Sequence, residues 1–386
     1  MSAWRRLLEE ESEHQWLSFA VFTFFIITGA VLIDWSSELP GVHDGGKLSA
    51  EGTIYDSAGD AILYKAENGM HVSLDGNSEE SPLATCLVQH EETTFACRGH
   101  EGIIWFSEEE TVELGWIPMS LGSSIIASQL SINSLNQMLI ITEEGATNSL
   151  AAMEFSLDAI DLGGSASPTT NLEGNMHLEV VTTTGDGWLV GGAWQAPANW
   201  LGSDQTQVPL MFELVISVQW DGTNAPSTKI VHMGDQGRIH GIFATDDGYI
   251  ATGTSDTIAI SEDGATSLGM SSIGAVGDVN GDIWLFGGIG SNTVAIISDD
   301  RISIEKLPSQ LDITPIHVSC DDKGLISVYG VDTEGEPGAL SIDSEVRNSF
   351  TSSRGLVDLG FLLVSILILG MMGWNISDAI RKGEVF

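Results

Sequence analysis

Two stretches of the chain are apolar almost throughout, and nearly everything between them changes character every few residues. Trp16 to Ile33 (WLSFAVFTFFIITGAVLI) holds no charged side chain, and at 1.5 Å per residue it roughly crosses a hydrocarbon core of about 30 Å. This predicts a spanning helix over 16–35, with Trp16 and Trp35 at the interfaces. Leu356 to Ile376 is broken only by Asp358 and predicts a second span over 355–376. Between them run short alternating or apolar segments rich in Ile, Val and Trp, bounded by Gly, Asp and Asn, with no sustained helical period. The body is expected to be all-β.

A phrase recurs within that body: an apolar strand ending in Ser-x-acid. It occurs at Ser73-Leu74-Asp75, Ser107-Glu108-Glu109, Ser156-Leu157-Asp158, Ser261-Glu262-Asp263, Ser298-Asp299-Asp300 and Ser341-Ile342-Asp343, with a degenerate copy at Ser217-Val218-Gln219. The spacing averages about 45 residues, the period of a four-stranded propeller blade. A second phrase keeps step, a turn glycine ahead of a strand: Asp186-Gly187, Asp247-Gly248, Asn280-Gly281 and Lys323-Gly324. Three of these have the form of hairpin turns whose two central residues take positive φ. Each unit reads as strands A to D with tight A–B and C–D turns, and the units predict a seven-bladed β-propeller over 51–350. Residues 36–50 are expected to be a linker, 1–15 an N-terminal cytoplasmic segment and 377–386 a cytoplasmic tail.

The 386 residues carry 14 Lys+Arg against 54 Asp+Glu, a net charge of −40, and 42% of positions are hydrophobic. So apolar a chain folds, and so acidic a chain makes a nucleic-acid or anionic-lipid partner improbable. Residues 34–354 alone hold 10 bases and 47 acids, net −37. Arg5 and Arg6 before the first apolar run, and Arg381 and Lys382 after the second, predict a two-helix membrane protein with both termini in the cytoplasm and the acidic body outside.

The periodic Ser-x-acid and glycine turns resemble those of the WD-repeat/YVTN-like propeller superfamily, and Ser261-Glu262-Asp263-Gly264-Ala265-Thr266 is similar to the Asp-box of BNR-type propellers, among them sialidases and sortilin-like receptors. The acidic shell resembles that of proteins from marine or halophilic archaea. In such turns the Ser and acid side chains bond nearby backbone, so the role expected of them is structural. Sialidase-like hydrolysis is the enzymatic alternative implied by the resemblance. It needs an arginine cluster, and the body offers only Arg98, Arg238, Arg301, Arg347 and Arg354.

Cys86 and Cys97 are symmetric about His90-Glu91-Glu92-Thr93 and are expected to face one another across a hairpin, within disulfide reach. Cys320 is expected to be packing. Asp278-Val279-Asn280-Gly281-Asp282 opens like a calcium loop but lacks its sixth-position glycine and twelfth-position acid, and reads as a hairpin turn. No metal, cofactor or catalytic residue is predicted. His240 and His317 open inner strands and are candidates for the channel mouth. Trp194 and Trp200 lie in the long insertion Ala193–Pro209, on the face of the D–A and B–C loops, as interface anchors. Chain entry and exit are expected on that same face, turning it toward the bilayer. The function that follows is a membrane-tethered binding or assembly module gripping another membrane protein, with a glycan or small-molecule ligand as the alternative.

Overall fold

The computed structural model describes residues 21–29, 31, 38–59, 61–74, 77–80, 84–90, 93–98, 103–106, 111–113, 124–131, 137–144, 147–156, 159–166, 175–197, 210–298 and 301–382. Its strands form seven four-stranded antiparallel sheets. We number the sheets along the chain and letter their strands A to D outward. The A strands are Thr53–Ala58, Ala84–His90, Ser124–Leu130, Asn175–Thr183, Ile239–Thr245, Gly274–Gly277 and Thr314–Cys320. Each touches the A strand of the next sheet, and the last touches the first. Sheets closed face to face around one axis make a β-propeller.

Burial explains the strand sequences. Strand B of sheet 4 (Trp188–Gln195, WLVGGAWQ) is covered on both faces, so it is an unbroken apolar run. Strand D of sheet 6 (Arg301–Lys306, RISIEK) lies at the rim and exposes charge. The Ser-x-acid phrases close the C strands, as with Gly69–Leu74, Thr257–Ser261 and Pro337–Asp343.

The tight turns are built differently from the expectation. Asp278-Val279-Asn280-Gly281-Asp282, Asp321-Asp322-Lys323-Gly324-Leu325 and Asp332-Thr333-Glu334-Gly335-Glu336 share one design. The first Asp Oδ1 accepts the N–H groups two and four residues on, at 2.8–3.0 Å. The glycine is left-handed, at φ 82°, 80° and 89°. These are Asp-anchored turns rather than two-residue hairpins, because the carboxylate stands in for backbone acceptors. Gly187 has another cause: a Cβ there would lie 2.2 Å from the Val218 carbonyl oxygen.

Ring closure takes in the expected linker. Val42–Asp44 pairs antiparallel with strand C of sheet 7 (Val42↔Ile342, His43↔Ser341, Asp44↔Leu340), making an N-terminal segment the fourth strand of the C-terminal sheet. Without it sheet 7 would show a bare edge of unpaired amides. Leu39 plugs in beside it, 2% exposed among Trp284, Phe286, Leu307 and Ile342, with its N–H 2.6 Å from the Lys306 carbonyl. The propeller thus begins near Leu39 rather than at residue 51.

The C-terminal helix (Ser344–Lys382) follows strand C of sheet 7 directly. Asp343, the acid of the last Ser-x-acid phrase, caps it, its Oδ1 accepting the N–H groups of Glu345 and Val346 at 3.0 and 3.1 Å. Ser344 Oγ donates to the Gly324 carbonyl at 2.8 Å, and Asn280 Nδ2 donates to Glu345 Oε1 at 2.9 Å. Arg347 sits 3.4 Å from Asp282 and 3.5 Å from Glu305, 5.7 Å over the Trp284 ring. These are A–B turns and their surroundings, so the helix leaves on the A–B face, and Gly41, beside Asp343, enters at the same corner. The expectation of a D–A exit is corrected: it holds only if each sheet takes its four strands consecutively, and sheet 7 does not.

The two-helix membrane placement is also corrected. Among the described residues no helix is long and apolar enough to cross a membrane. Two helices bear on this, one at 21–29 and the C-terminal one. The first packs on the second: Phe25 stacks on Phe361 at 5.5 Å, and Gly29 admits that ring.

Leu39→Ala should lower stability by about 2–4 kcal/mol in urea unfolding, since it empties a fully packed site and loosens the closing strand. A loss below about 1 kcal/mol would show that closure does not depend on this plug.

Candidate functional site at the channel

Six of the seven A strands slip register by one residue, between Ile54 and Asp56, Ala84 and Cys86, Ile125 and Ala127, Leu178 and Val180, Ile239 and Gly241, and Pro315 and His317. An extra residue bends a strand and re-aims the side chains after it. At the junction of sheets 7 and 1 two such bulges face each other. Ser57 Oγ lies 2.9 Å from His317 Nε2, and Asp56 Oδ1 lies 4.0 Å from His317 Nδ1. The far face of the imidazole stacks on Tyr329 at 6.1 Å, whose hydroxyl accepts the Leu48 N–H at 2.7 Å.

The Asp56 carboxylate is held by backbone: Oδ1 accepts the Ser57 N–H and Oδ2 the Leu87 N–H of sheet 2, both at 2.8 Å. Burial pushes it up to about 6 against the pull of those two donors, although 31% of the side chain still meets solvent. Burial drives His317, 14% exposed, down to about 4. At neutral pH the imidazole is therefore uncharged. In the tautomer protonated on Nδ1, the Ser57 hydroxyl donates to Nε2 and the N–H looks toward Asp56.

Sheets 4 and 5 carry a second polar group. Arg238 pairs with Glu179, and His240 Nε2 lies 2.8 Å from Thr254 Oγ1. Beside it Glu213 is fully buried, its Oε1 accepting the N–H groups of Ser255 and Asp256 at 2.6 and 3.3 Å, and burial raises its pKa.

Of the residues expected to act, His240 opens the A strand of sheet 5 and is exposed, while His317 sits in mid-strand and half-buried. Trp194 is not a loop anchor. It is 1% exposed and tilted against Phe212 at 5.6 Å, because strand B of sheet 4 continues through Gln195 before the insertion begins. Trp200 lies outside the described residues, as do Asp75, Ser107, Glu109, Asp158 and Asp300. Ser261 Oγ accepts the Asp263 N–H at 3.3 Å, the local bond expected of the repeat turn, whereas Ser341 Oγ donates to the His43 carbonyl at 3.5 Å. Ser73, Ser156 and Ser298 lie in or at the end of C strands.

Cys86 stands opposite Cys97 and is disulfide-bonded; with Cys320 free, Cys97 is its partner. Burial pushes the Cys320 thiol up to about 11, which leaves it inert as a nucleophile. Asp278 is saturated, its Oδ2 taking the Trp284 indole N–H at 3.0 Å. Among the described residues no group of three or more His, Cys, Asp or Glu is placed to hold a metal ion. Among the described side chains the arginines do not converge either. Arg238 is paired with Glu179, Arg347 is locked under the helix, and Arg301 lies on a rim strand.

No family model and no curated protein matches the chain. Among solved structures it is similar to virginiamycin B lyase from Staphylococcus aureus (TM-score 0.43, 10% identity, covering 68% of this chain and 85% of that one). Oligogalacturonate lyase from Vibrio parahaemolyticus gives 0.47, 11%, 76% and 90%, and the WD40 β-propeller domain of Doa1 gives 0.34, 13%, 77% and 79%. Likenesses this distant say nothing of chemistry.

Asp56 and His317 oppose each other in pH dependence. Asp56, raised when folded, contributes stability below about 4 that is lost as pH climbs through about 6; His317, depressed when folded, contributes stability above about 6.5 that is lost as pH falls through about 4. Their slopes cancel between about pH 4 and 6. In Asp56→Asn only the histidine slope remains, so the variant should gain stability relative to the wild type as pH rises across that window, read as urea midpoints at three pH values. A constant difference would mean that Asp56 titrates normally.

Proposed function

We propose that this propeller is a protein-binding or assembly module that meets its partner on the face of the D–A and B–C loops. The observation that supports the reading is the docking of the C-terminal helix: Ser344, Glu345 and Arg347 sit against the A–B turns of sheets 6 and 7, which places the chain's own helix on that face rather than on the other. Propellers take ligands at such mouths through loops held by a rigid ring. With a net −37 over residues 34–354, the partner surface is expected to be basic, with charge steering the encounter. The partner class is thus a protein with a basic surface. The Ser-x-acid turns are proposed as degenerate Asp-box counterparts with a structural role. The committed arginines weigh against a sialidase-like reaction.

A photo-cross-linking residue at Glu334, in the B–C loop of sheet 7, or at His240 should capture the partner, and one at Asp247, in the A–B turn of sheet 5, should not. Capture should fall at least tenfold between 50 mM and 500 mM salt as exposed charges are screened. Equal capture from Asp247, or indifference to salt, would sink the proposal.

A further inference from the structure

We propose that Ser57 is an acyl-accepting nucleophile, with His317 as its base and Asp56 positioning the imidazole, at the junction of sheets 7 and 1. The site lies inside the ring and is independent of the partner face. Three features carry it. Ser57 Oγ and His317 Nε2 stand at hydrogen-bond distance, 2.9 Å, in the geometry a hydroxyl needs to hand its proton to an imidazole. The other ring nitrogen faces a carboxylate, 4.0 Å from Asp56 Oδ1, near enough to orient the ring in its Nδ1-protonated tautomer. The constellation is also held from behind. Asp56 is pinned by the Leu87 and Ser57 N–H groups and the imidazole by Tyr329, so the reacting pair sits on strands rather than on a loop.

In the step proposed, Ser57 Oγ forms a bond to an ester carbonyl carbon while its proton passes to His317 Nε2. Collapse of the tetrahedral adduct breaks the bond to the leaving alcohol, which takes that proton. Water then attacks acyl-Ser57, gives a proton to His317, and leaves the carboxylic acid as Ser57 Oγ is reprotonated. No oxidant or cofactor is needed. The substrate class is an uncharged ester, because the acidic body repels anions. The neutral state of His317 near pH 7 leaves its lone pair free for the proton.

The test is covalent labelling of the full-length protein with a fluorophosphonate probe, followed by peptide mapping, together with the phenolate burst from p-nitrophenyl acetate. Expected are one adduct per chain, mapped to Ser57, and a stoichiometric burst. Both should disappear in Ser57→Ala and fall at least tenfold in His317→Asn, with circular dichroism confirming that the variants fold. The wild-type map requires no variant, so it decides even if both substitutions unfold the ring. An unlabelled wild type, an adduct on another serine, or undiminished labelling in folded His317→Asn would overturn the proposal and leave the Ser57–His317 bond as a tie between sheets.

Discussion

The ring stands on one short pairing, the three residues Val42–Asp44 laid along strand C of sheet 7. A propeller closes evenly only while its last sheet has all four strands, and here the missing strand comes from the opposite end of the chain. Much of the rest depends on this exchange. It brings Leu39 into the core shared by sheets 6 and 7. It sets the A strands of sheets 1 and 7 side by side, so that Ser57 meets a histidine 260 positions away. It also leaves strand C, rather than strand D, to run out into the helix, which decides the face from which that helix departs.

Polar groups carry much of the contact between neighbouring sheets. Asp56 accepts the Leu87 N–H, Asn148 the Leu178 N–H, and Glu213 the N–H groups of Ser255 and Asp256. Trp188 donates its indole N–H to the Gln129 carbonyl, and Thr252 its hydroxyl to that of Ile273. Bulged A strands leave backbone groups without ladder partners, and a buried unpaired amide costs about 1–3 kcal/mol. A carboxylate that supplies the missing acceptor is itself desolvated, so the seam acids Asp56 and Glu213 are raised while Asp221, fully exposed, is lowered to about 2 by the N–H groups it caps. The same residue type thus does two jobs in a chain of 54 acids: most keep the shell hydrated, and a few stitch the sheets.

Much of this architecture was visible in the sequence because strand period and turn chemistry are local. The Ser-x-acid phrase marks the ends of C strands, and Gly281 and Gly324 stand where a left-handed residue is needed. Trp194 was misplaced because a strand's end cannot be told from a loop's start when both are apolar and glycine-rich; the register with Phe212 shows that the strand continues. The spanning helices rest on apolar runs and their flanking residues, which record how apolar a run is and nothing of what packs on it, as Phe361 does on Gly29.

The candidate site belongs to the other category. Nothing marks Asp56-Ser57 or His317 along the chain: each is an ordinary polar residue in a short strand, and no motif spacing joins them. By itself the sequence determined the repeating four-stranded unit, its turns, the acidic surface and the facing cysteines, since each rests on residues a few positions apart. Tertiary structure alone decided which strand completes sheet 7, which face carries the helix, and that a serine near one end lies against a histidine near the other. Those are properties of closure, and closure joins residues by geometry around an axis that no local pattern encodes.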